Sequence, residues 1–228
     1  MKSNLLKKHA KSFYWASFFL SSNTLDKCSS LYNFCRTLDD IVDDNNNLDL
    51  KKEIFSKFKK DFENKNFNNQ IIKDMWSVID SENISKKIII DLFDGVETDL
   101  EEKVEINSKK DLLVYSYRVA GTIGLMMSKI LKVNNKESLK GAIDLGIAMQ
   151  LTNIARDVCE DKKRKRRYIK SDFSSIKETI YDSEIFYQKS FKSISSITLR
   201  SRFSVIVARR IYKKIGDYIL KQKNIENY

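Results

Sequence analysis

The sequence contains no proline and only six glycines among its 228 residues. Folds built from strands and tight turns depend on these two residue types, which supply the backbone angles that turns require. Helices joined by loops of asparagine, serine and lysine have no such need. The scarcity therefore predicts an all-α fold, and we see no linker or internal repeat that would divide residues 1–228 into more than one domain.

Histidine and cysteine are also scarce. The lone histidine, His9, gives no basis for a histidine-dependent catalytic triad, and the three cysteines, Cys28, Cys35 and Cys159, show no CxxC spacing. The pattern favours free thiols in a reducing cytoplasm over a zinc site or a disulfide framework.

Long apolar runs are missing as well. No stretch reaches the roughly 18 uninterrupted apolar residues of a membrane span, and the basic N-terminus lacks the apolar core and cleavage site of an export signal. We therefore expect a cytoplasmic protein. The formal net charge of +11 favours an anionic partner, such as a phosphorylated substrate, nucleic acid or acidic lipid.

Apolar residues at helical spacing predict a series of helices. The predicted helices cover Lys11–Ser21, Asp26–Asp43, Leu50–Asn64, Ser85–Leu100, Lys110–Leu131 and Glu137–Asp161, with two or three more between Ile176 and Lys223. Gly121 and Gly124 lie inside one of them, where each glycine weakens a helix by up to ~1 kcal/mol. We therefore expect a neighbouring backbone or a ligand to approach closely there.

The first acidic motif ends the second predicted helix. Asp39 and Asp43 are four residues apart, so they share a helix face with each other and with Tyr32 and Arg36. Carboxylates on one face repel one another and are unfavourable at a helix C-terminus. A bound cation would reverse that penalty, and a solvated acidic helix end is the alternative interpretation.

A second polar stripe consists of Gln150, Asn153, Asp157 and Asp161, at positions i, i+3, i+7 and i+11 of an otherwise apolar helix. Hydrogen bonds to other helices could satisfy it. If it faces the first motif, four carboxylates enter one cleft, which is untenable without cations. Oxygen ligands of this kind indicate Mg²⁺, with Mn²⁺ as the alternative, and Mg²⁺ characteristically bridges protein to substrate phosphates.

Two further motifs lie near these stripes in the sequence. The basic run Lys162–Arg167, followed by Tyr168, would neutralise phosphate charge beside a metal site, although a solvated loop is the plainer interpretation. The segment Tyr115–Met127 mixes tyrosines, small residues and methionines, and lines either a long apolar pocket or ordinary core. We do not expect nucleic acid as a partner, because both acidic stripes would repel it.

In combination these motifs resemble the squalene/phytoene synthase family, and most closely its bacterial phytoene synthase branch. The matching stretches are Lys11–Tyr14, Cys35–Asp44, Asp94–Asp99, Tyr115–Leu125 and Gly146–Asp161, within a resemblance that runs from about His9 to Lys221. The resemblance implies an isoprenoid-synthase helical bundle around a central active-site cavity. It also implies a Mg²⁺-dependent transferase that joins two prenyl diphosphates head to head.

The resemblance implies roles for individual residues. The implied metal ligands are Asp39, Asp43, Asn153, Asp157 and Asp161. The implied residues that bind diphosphate or line the cleft are Ser12, Phe13, Arg36, Gln150 and Arg156. The implied catalytic residues are three tyrosines: Tyr32 and Tyr115 beside the reacting carbons, and Tyr168 beside the diphosphate.

The implied reaction converts two geranylgeranyl diphosphates to phytoene through a cyclopropyl (prephytoene) diphosphate, in carotenoid biosynthesis. Synthesis of squalene or dehydrosqualene from farnesyl diphosphate is an alternative, and only squalene synthesis would require NADPH. A catalytically silent family member that acts as an assembly factor is an alternative of another class. We expect a monomer, with peripheral contact to the inner face of a membrane through the apolar face of 13–20 and the basic surface.

The chain departs from the family pattern in three respects. Ala155 and Cys159 replace a larger aliphatic residue and a glycine, and no proline follows the basic run. The domain is short at its C-terminal end, because relatives continue beyond the position of Tyr228 into another basic helix that contacts diphosphate. The candidates to supply those contacts here are Arg200, Arg202 and the Lys221/Lys223 tail.

Overall fold

The computed structural model describes residues 20–44, 47–133 and 135–222, except for the side chain of Arg200. The helices in this part of the chain are α1 (Ser22–Asp43), α2 (Leu48–Glu63), α3 (Gln70–Glu82), α4 (Lys86–Glu97), α5 (Lys109–Ser116), α6 (Thr122–Ile130), α7 (Lys136–Arg156), α8 (Val158–Lys163), α9 (Phe173–Phe191) and α10 (Leu199–Lys221). The predicted all-α fold is confirmed. None of these helices has the length and apolar character needed to cross a membrane.

Short irregular elements join some of the helices. A 3₁₀ turn at Thr98–Leu100 follows α4, a π-helical turn at Tyr117–Gly121 joins α5 to α6, and a 3₁₀ turn at Lys192–Ser196 precedes α10. The strands in the described residues are two residues long: β1 (Val104–Glu105) pairs in parallel with β2 (Arg166–Arg167). This small ladder fixes the basic run beside the segment that follows α4.

Asparagine and serine side chains cap the N-termini of several helices. The Ser85 hydroxyl accepts a hydrogen bond from the Lys87 N–H at 3.3 Å and caps the N-terminus of α4. The Asn47 side chain accepts from the Leu50 N–H at 2.8 Å, and Asn135 caps α7 in the same way. These caps satisfy backbone donors that the first turn of a helix leaves unpaired.

The structure differs from the predicted helices in two places. The helix α3 was not predicted, although its apolar positions Ile72, Met75, Trp76 and Ile79 are buried. The predicted helix Glu137–Asp161 is interrupted at Asp157, so it becomes α7 and α8. The predicted helix Lys11–Ser21 lies outside the described residues except for its last two positions.

Aromatic packing holds α1 in place. Phe34 on α1 is fully buried, and its ring centroid lies 5.2 Å from that of Phe62 on α2 and 5.9 Å from that of Phe93 on α4. Fully burying such a side chain contributes about 1.5–3 kcal/mol. The opposite face of α1, which carries the first acidic motif, is therefore presented by a rigid helix.

Two glycines allow helices to approach closely around the centre of the molecule. A Cβ atom added at Gly124 would lie 2.2 Å from the Ala142 carbonyl oxygen on α7, and one at Gly146 would lie 2.3 Å from the Ala120 carbonyl oxygen. A Cβ atom and a non-bonded oxygen are essentially never found less than 3.0 Å apart, so neither position has room for a side chain. The expected close approach of a neighbouring backbone is therefore confirmed for Gly124.

We expect Gly124→Ala and Gly146→Ala each to lower the free energy of unfolding by about 1–3 kcal/mol. To admit the methyl group, α7 must move away from α6 at Gly124 and from the π-helical turn at Gly146. Chemical denaturation measures this change. Gly216→Ala is the matched control, since its Cβ would meet Ile180 at an ordinary 3.4 Å and alanine favours a helix by up to ~1 kcal/mol. Equal stability of all three variants would contradict the close-approach explanation.

Candidate active site

A central cavity runs between α1 and α7. Its wall on α7 follows one helix face at the positions Ser138, Gly141, Ala142, Leu145, Gly146, Met149, Gln150 and Asn153. The fifteen residue-to-residue steps from Ser138 to Asn153 rise about 22 Å along the helix. The cavity is therefore long and mostly apolar, and its charged side chains, Arg36, Asp39 and Asp99, lie toward the Asn153 end.

The tyrosine-rich segment forms another wall of this cavity. Its lining side chains are Tyr115, Val119, Ala120, Ile123, Gly124 and Met127. The π-helical turn lies within this segment, and such turns are frequent at functional sites. The interpretation of Tyr115–Met127 as pocket lining, rather than as core alone, is confirmed.

The first acidic motif lies at the polar end of the cavity. Tyr32, Arg36 and Asp39 all line the wall, and the Arg36 guanidinium pairs with Asp40 at 2.6 Å. The sequence spacing thus correctly predicts a shared face for these three residues.

Asp43 lies one turn further along α1, where the basic run reaches it. Arg164 Nη1 donates to Asp43 Oδ2 at 3.0 Å, and Arg166 Nη1 donates to Asp43 Oδ1 at 2.7 Å. Arg166 also donates to the Val42 carbonyl oxygen at 3.0 Å. These contacts offset the unfavourable placement of acid at a helix C-terminus.

The second motif keeps its register across the helix interruption at Asp157. The Asp157 N–H donates to the Asn153 carbonyl, and the Asp161 N–H donates to the Asp157 carbonyl, both at 2.8 Å. Gln150 and Asn153 line the cavity. Arg156 holds both carboxylate oxygens of Asp157, each at 2.6 Å, so the residues predicted to bind diphosphate and metal are adjacent here.

Contacts and electrostatics together place the two acidic motifs at the same end of the cavity. Arg164 and Arg166, which follow α8 in the chain, both contact Asp43. Desolvation, followed by the charge of Asp43, raises the pKa of Asp39 to about 7, although the residue keeps an exposed surface. Burial, followed by the charge of Asp157, raises the pKa of Asp161 to about 7. The charge of Asp99 raises both pKa values, so the structure brings the two acidic faces together.

The donor set fits a divalent cation shared with a substrate. The Asn153 Oδ1 atom is buried and has no hydrogen-bond partner, while Asp39 and Asp161 lie in a field of like charge. Among residues 20–44, 47–133 and 135–222, no three acidic, cysteine or histidine side chains form a group that would hold an ion by themselves. Mg²⁺ does not need such a cage, because it keeps several waters and binds substrate phosphates.

Tyr115 and Tyr168 lie side by side. Their rings stack with centroids 4.7 Å apart, and both hydroxyls donate to Asp99, from Tyr115 at 2.8 Å and from Tyr168 at 2.5 Å. Tyr115 and Asp99 line the cavity, whereas Tyr168 lies behind them. Asp99 belongs to a stretch that matches the family, yet the sequence alone gave it no role.

Tyr212 on α10 is a further residue of the site that the motifs did not reveal. It lines the cavity together with Ser204, Val205 and Ala208 of the same helix. Burial raises the pKa of the Tyr212 phenol, against the charge of Arg156 and a hydrogen bond with Asn153. A single tyrosine in a basic amphipathic helix carries no spacing signal, so only the fold shows that it lies beside the second motif.

Some predicted residues lie elsewhere or outside the description. Ser12, Phe13, Lys223 and the Arg200 side chain are not among the described residues and atoms. Arg202 donates to the carbonyl oxygens of Ser195 at 2.5 Å and Ile197 at 3.1 Å. It therefore braces the turn before α10 and is not available as the substitute diphosphate contact that we expected.

Comparison with known proteins agrees with this geometry. The squalene/phytoene synthase family model matches residues 6–173. A 15-cis-phytoene synthase from Pantoea ananas is 26% identical over 240 aligned positions, which cover 91% of this chain and 77% of that protein. Another from a Paracoccus strain is 33% identical over 150 positions, covering 58% of this chain and 49% of that protein.

A solved structure shares the fold over nearly the whole chain. The crystal structure of a dehydrosqualene synthase in complex with ligand has a TM-score of 0.82 and 26% sequence identity, covering 93% of this chain and 82% of that chain. The family model, the shared fold and the geometry of the site all indicate the same family. The chain therefore belongs to the squalene/phytoene synthase family, whose members are prenyltransferases.

Proposed function

We propose that this protein condenses two molecules of geranylgeranyl diphosphate head to head and forms phytoene by way of the cyclopropyl (prephytoene) diphosphate, a step of carotenoid biosynthesis. The observation that carries the proposal is the arrangement of the cavity: two acidic motifs and their arginines meet at one end of a long apolar space. The similarity to phytoene synthases supports the same product.

The length of the cavity favours the longer substrate. Along α7 the lined face measures about 22 Å at 1.5 Å per residue. An extended geranylgeranyl chain spans roughly 18–20 Å, and a farnesyl chain roughly 14 Å, when about 1.5 Å per carbon–carbon bond is shortened by the zigzag of the chain. The lined stretch of α7 from Asn153 to Ser138 is thus long enough to run beside four isoprene units, which supports the longer substrate.

The polar end would bind and release the diphosphates. Arg36 and Arg156 would hold diphosphate oxygens, because both guanidinium groups lie at that end and are partly exposed. Divalent cations held by Asp39, Asp43, Asn153, Asp157 and Asp161 would neutralise the leaving diphosphate.

Loss of diphosphate from the first substrate leaves an allylic cation. The aromatic faces of Tyr32 and Tyr115 line the cavity and would stabilise this cation. The C2–C3 double bond of the second substrate attacks it, and loss of a proton closes the cyclopropane ring. The intermediate then loses its own diphosphate, rearranges and releases a second proton.

The apolar wall protects these cations from water. Leu31, Val119 and Ile123 line the cavity, and their apolar side chains would help to exclude water from the reacting carbons. Such exclusion is necessary because water would convert either cation to an alcohol.

The test is incubation of the purified full-length protein with Mg²⁺ and either geranylgeranyl or farnesyl diphosphate, followed by extraction and product identification. We expect phytoene from the longer substrate. Dehydrosqualene from farnesyl diphosphate, or squalene when NADPH is added, would replace the proposal by the activity named for the structural relative. No product from either substrate, with folded protein and Mg²⁺ present, would support a catalytically silent family member.

A further inference from the structure

Asp99 is a partly buried carboxylate that the roles above do not use. It lies in the 3₁₀ turn after α4 and lines the cavity. Its Oδ2 atom accepts a hydrogen bond from Tyr115 at 2.8 Å and its Oδ1 atom accepts one from Tyr168 at 2.5 Å. The two phenol oxygens are themselves 3.1 Å apart. One carboxylate therefore fixes the orientation of two stacked rings.

Keeping this carboxylate inside the protein is unfavourable. Removal from water raises the pKa of Asp99, and the nearby charge of Arg166 and the two phenol hydrogen bonds only partly oppose the rise. An asparagine would tie the same three segments together without carrying a charge. Asparagine at position 99 therefore separates the two contributions, because it keeps the hydrogen bonds and removes the charge.

We propose that Asp99 is a positioning residue that acts through Tyr115, an inference that rests on the proposed function. Its carboxylate draws the phenol proton toward itself, so the Tyr115 ring carries more electron density on the face that lines the cavity. Hydrogen bonds to an ionised acceptor are about twice as strong as neutral ones. An aromatic ring with higher electron density stabilises a nearby cation more strongly. Tyr168 completes the unit and keeps the Tyr115 ring from rotating.

The chain offers a matched pair for comparison. Tyr117 donates to Asp91 Oδ2 at 2.9 Å, which is the same kind of phenol–carboxylate contact. Neither Asp91 nor Tyr117 lines the cavity. Asp91→Asn therefore removes the charge from a similar phenol–carboxylate hydrogen bond without touching the site.

The test compares steady-state kinetics and melting temperatures of Asp99→Asn and Asp91→Asn. For Asp99→Asn we expect kcat to fall roughly 10- to 100-fold, as for other residues that orient a reacting group, with little change in KM and no fall in melting temperature. Asp91→Asn retains the wild-type kcat. In a Tyr115→Phe background, Asp99→Asn lowers kcat far less, because both changes remove one interaction.

Three results would overturn the inference: wild-type kcat in Asp99→Asn, a loss of kcat that merely accompanies a lower melting temperature, or effects of Asp99→Asn and Tyr115→Phe that multiply in full. A second readout does not depend on turnover. In protein labelled with ¹³C at tyrosine Cζ, the Tyr115 signal should shift in Asp99→Asn and stay in place in Asp91→Asn. If the wild-type protein forms no product from either substrate, the proposed function is wrong. If the wild-type protein is active and Asp99→Asn is equally active, only the inference about Asp99 is wrong.

Discussion

Replacing Asp157 with asparagine is expected to remove nearly all turnover and to leave the fold intact. Loss of one preorganised charged group in an active site typically lowers kcat by roughly 10²- to 10³-fold, and Asp157 also holds Arg156 through both of its oxygens. The backbone hydrogen bonds that carry the chain past Asp157 do not involve its side chain. The asparagine variant should therefore keep the wild-type melting temperature.

Glu160→Gln is the control for this experiment. Glu160 lies in α8 next to the same motif, but its side chain is 61% exposed. Its partner Arg164, at 2.9 Å, contacts Asp43 through its other terminal nitrogen, and that contact remains when Glu160 is replaced. Glu160→Gln should therefore change turnover little. Steady-state product formation and thermal unfolding of the two variants test whether Asp157 is needed for turnover and not for the fold. Wild-type turnover in Asp157→Asn would count directly against its assignment as a metal ligand.

Arg166→Lys is expected to damage both stability and turnover. The Arg166 side chain is 9% exposed and donates to Asp43 Oδ1 and to the Val42 carbonyl oxygen. A lysine keeps the charge but lacks the planar fork that reaches separate acceptors. Because a buried acceptor left unpaired, here the Val42 carbonyl oxygen, costs about 1–3 kcal/mol, the free energy of unfolding should fall by roughly that amount.

Turnover of Arg166→Lys should fall at least tenfold, as when the partner of a metal ligand is lost, because Asp43 is no longer oriented. Arg167→Lys provides the matched control one residue away. The Arg167 side chain is 45% exposed and pairs with Glu105 at 3.2 Å, and exposed pairs of this kind contribute about 0–1 kcal/mol. Denaturation and turnover that change equally in the two variants would contradict the buried role of Arg166.

Much of this site could be predicted from the sequence, because helical periodicity alone determines which side chains share a face. The spacing of Asp39 with Arg36, and of Gln150 with Asn153, places each pair on the cavity wall once α1 and α7 face one another. Likewise, glycine at position 124 indicated a close backbone neighbour, and the structure identifies it as Ala142.

The residues that escaped prediction depend on contacts between distant segments. Arg166 reaches Asp43 across 123 positions of sequence, and Asp99 meets Tyr168 across 69. No local pattern distinguishes Arg166 from its five basic neighbours, because its burial results from the pairing of β1 with β2. The same holds for Tyr212, whose place in the site depends on how α10 packs against α7.

The interruption at Asp157 was not predicted for a different reason. Hydrophobic periodicity continues from α7 into α8, and the hydrogen bonds around Asp157 continue as well. Only the backbone angles of Asp157, φ −98° and ψ 12°, depart from the helix. Such a local departure leaves the four-residue spacing of Asp157 and Asp161 unchanged, so the sequence predicted the register correctly although it placed the helix end too late.

Titration of the full-length protein with Mn²⁺, followed by electron paramagnetic resonance, most directly tests whether both acidic motifs hold divalent cations together with a diphosphate. With inorganic pyrophosphate present, we expect more than one Mn²⁺ ion to bind per chain, and both Asp39→Asn and Asp161→Asn to reduce that number. Asp44→Asn, at the exposed end of the first motif, should bind as the wild type does. Absence of Mn²⁺ binding with pyrophosphate, or wild-type binding in both motif variants, would contradict the shared metal site.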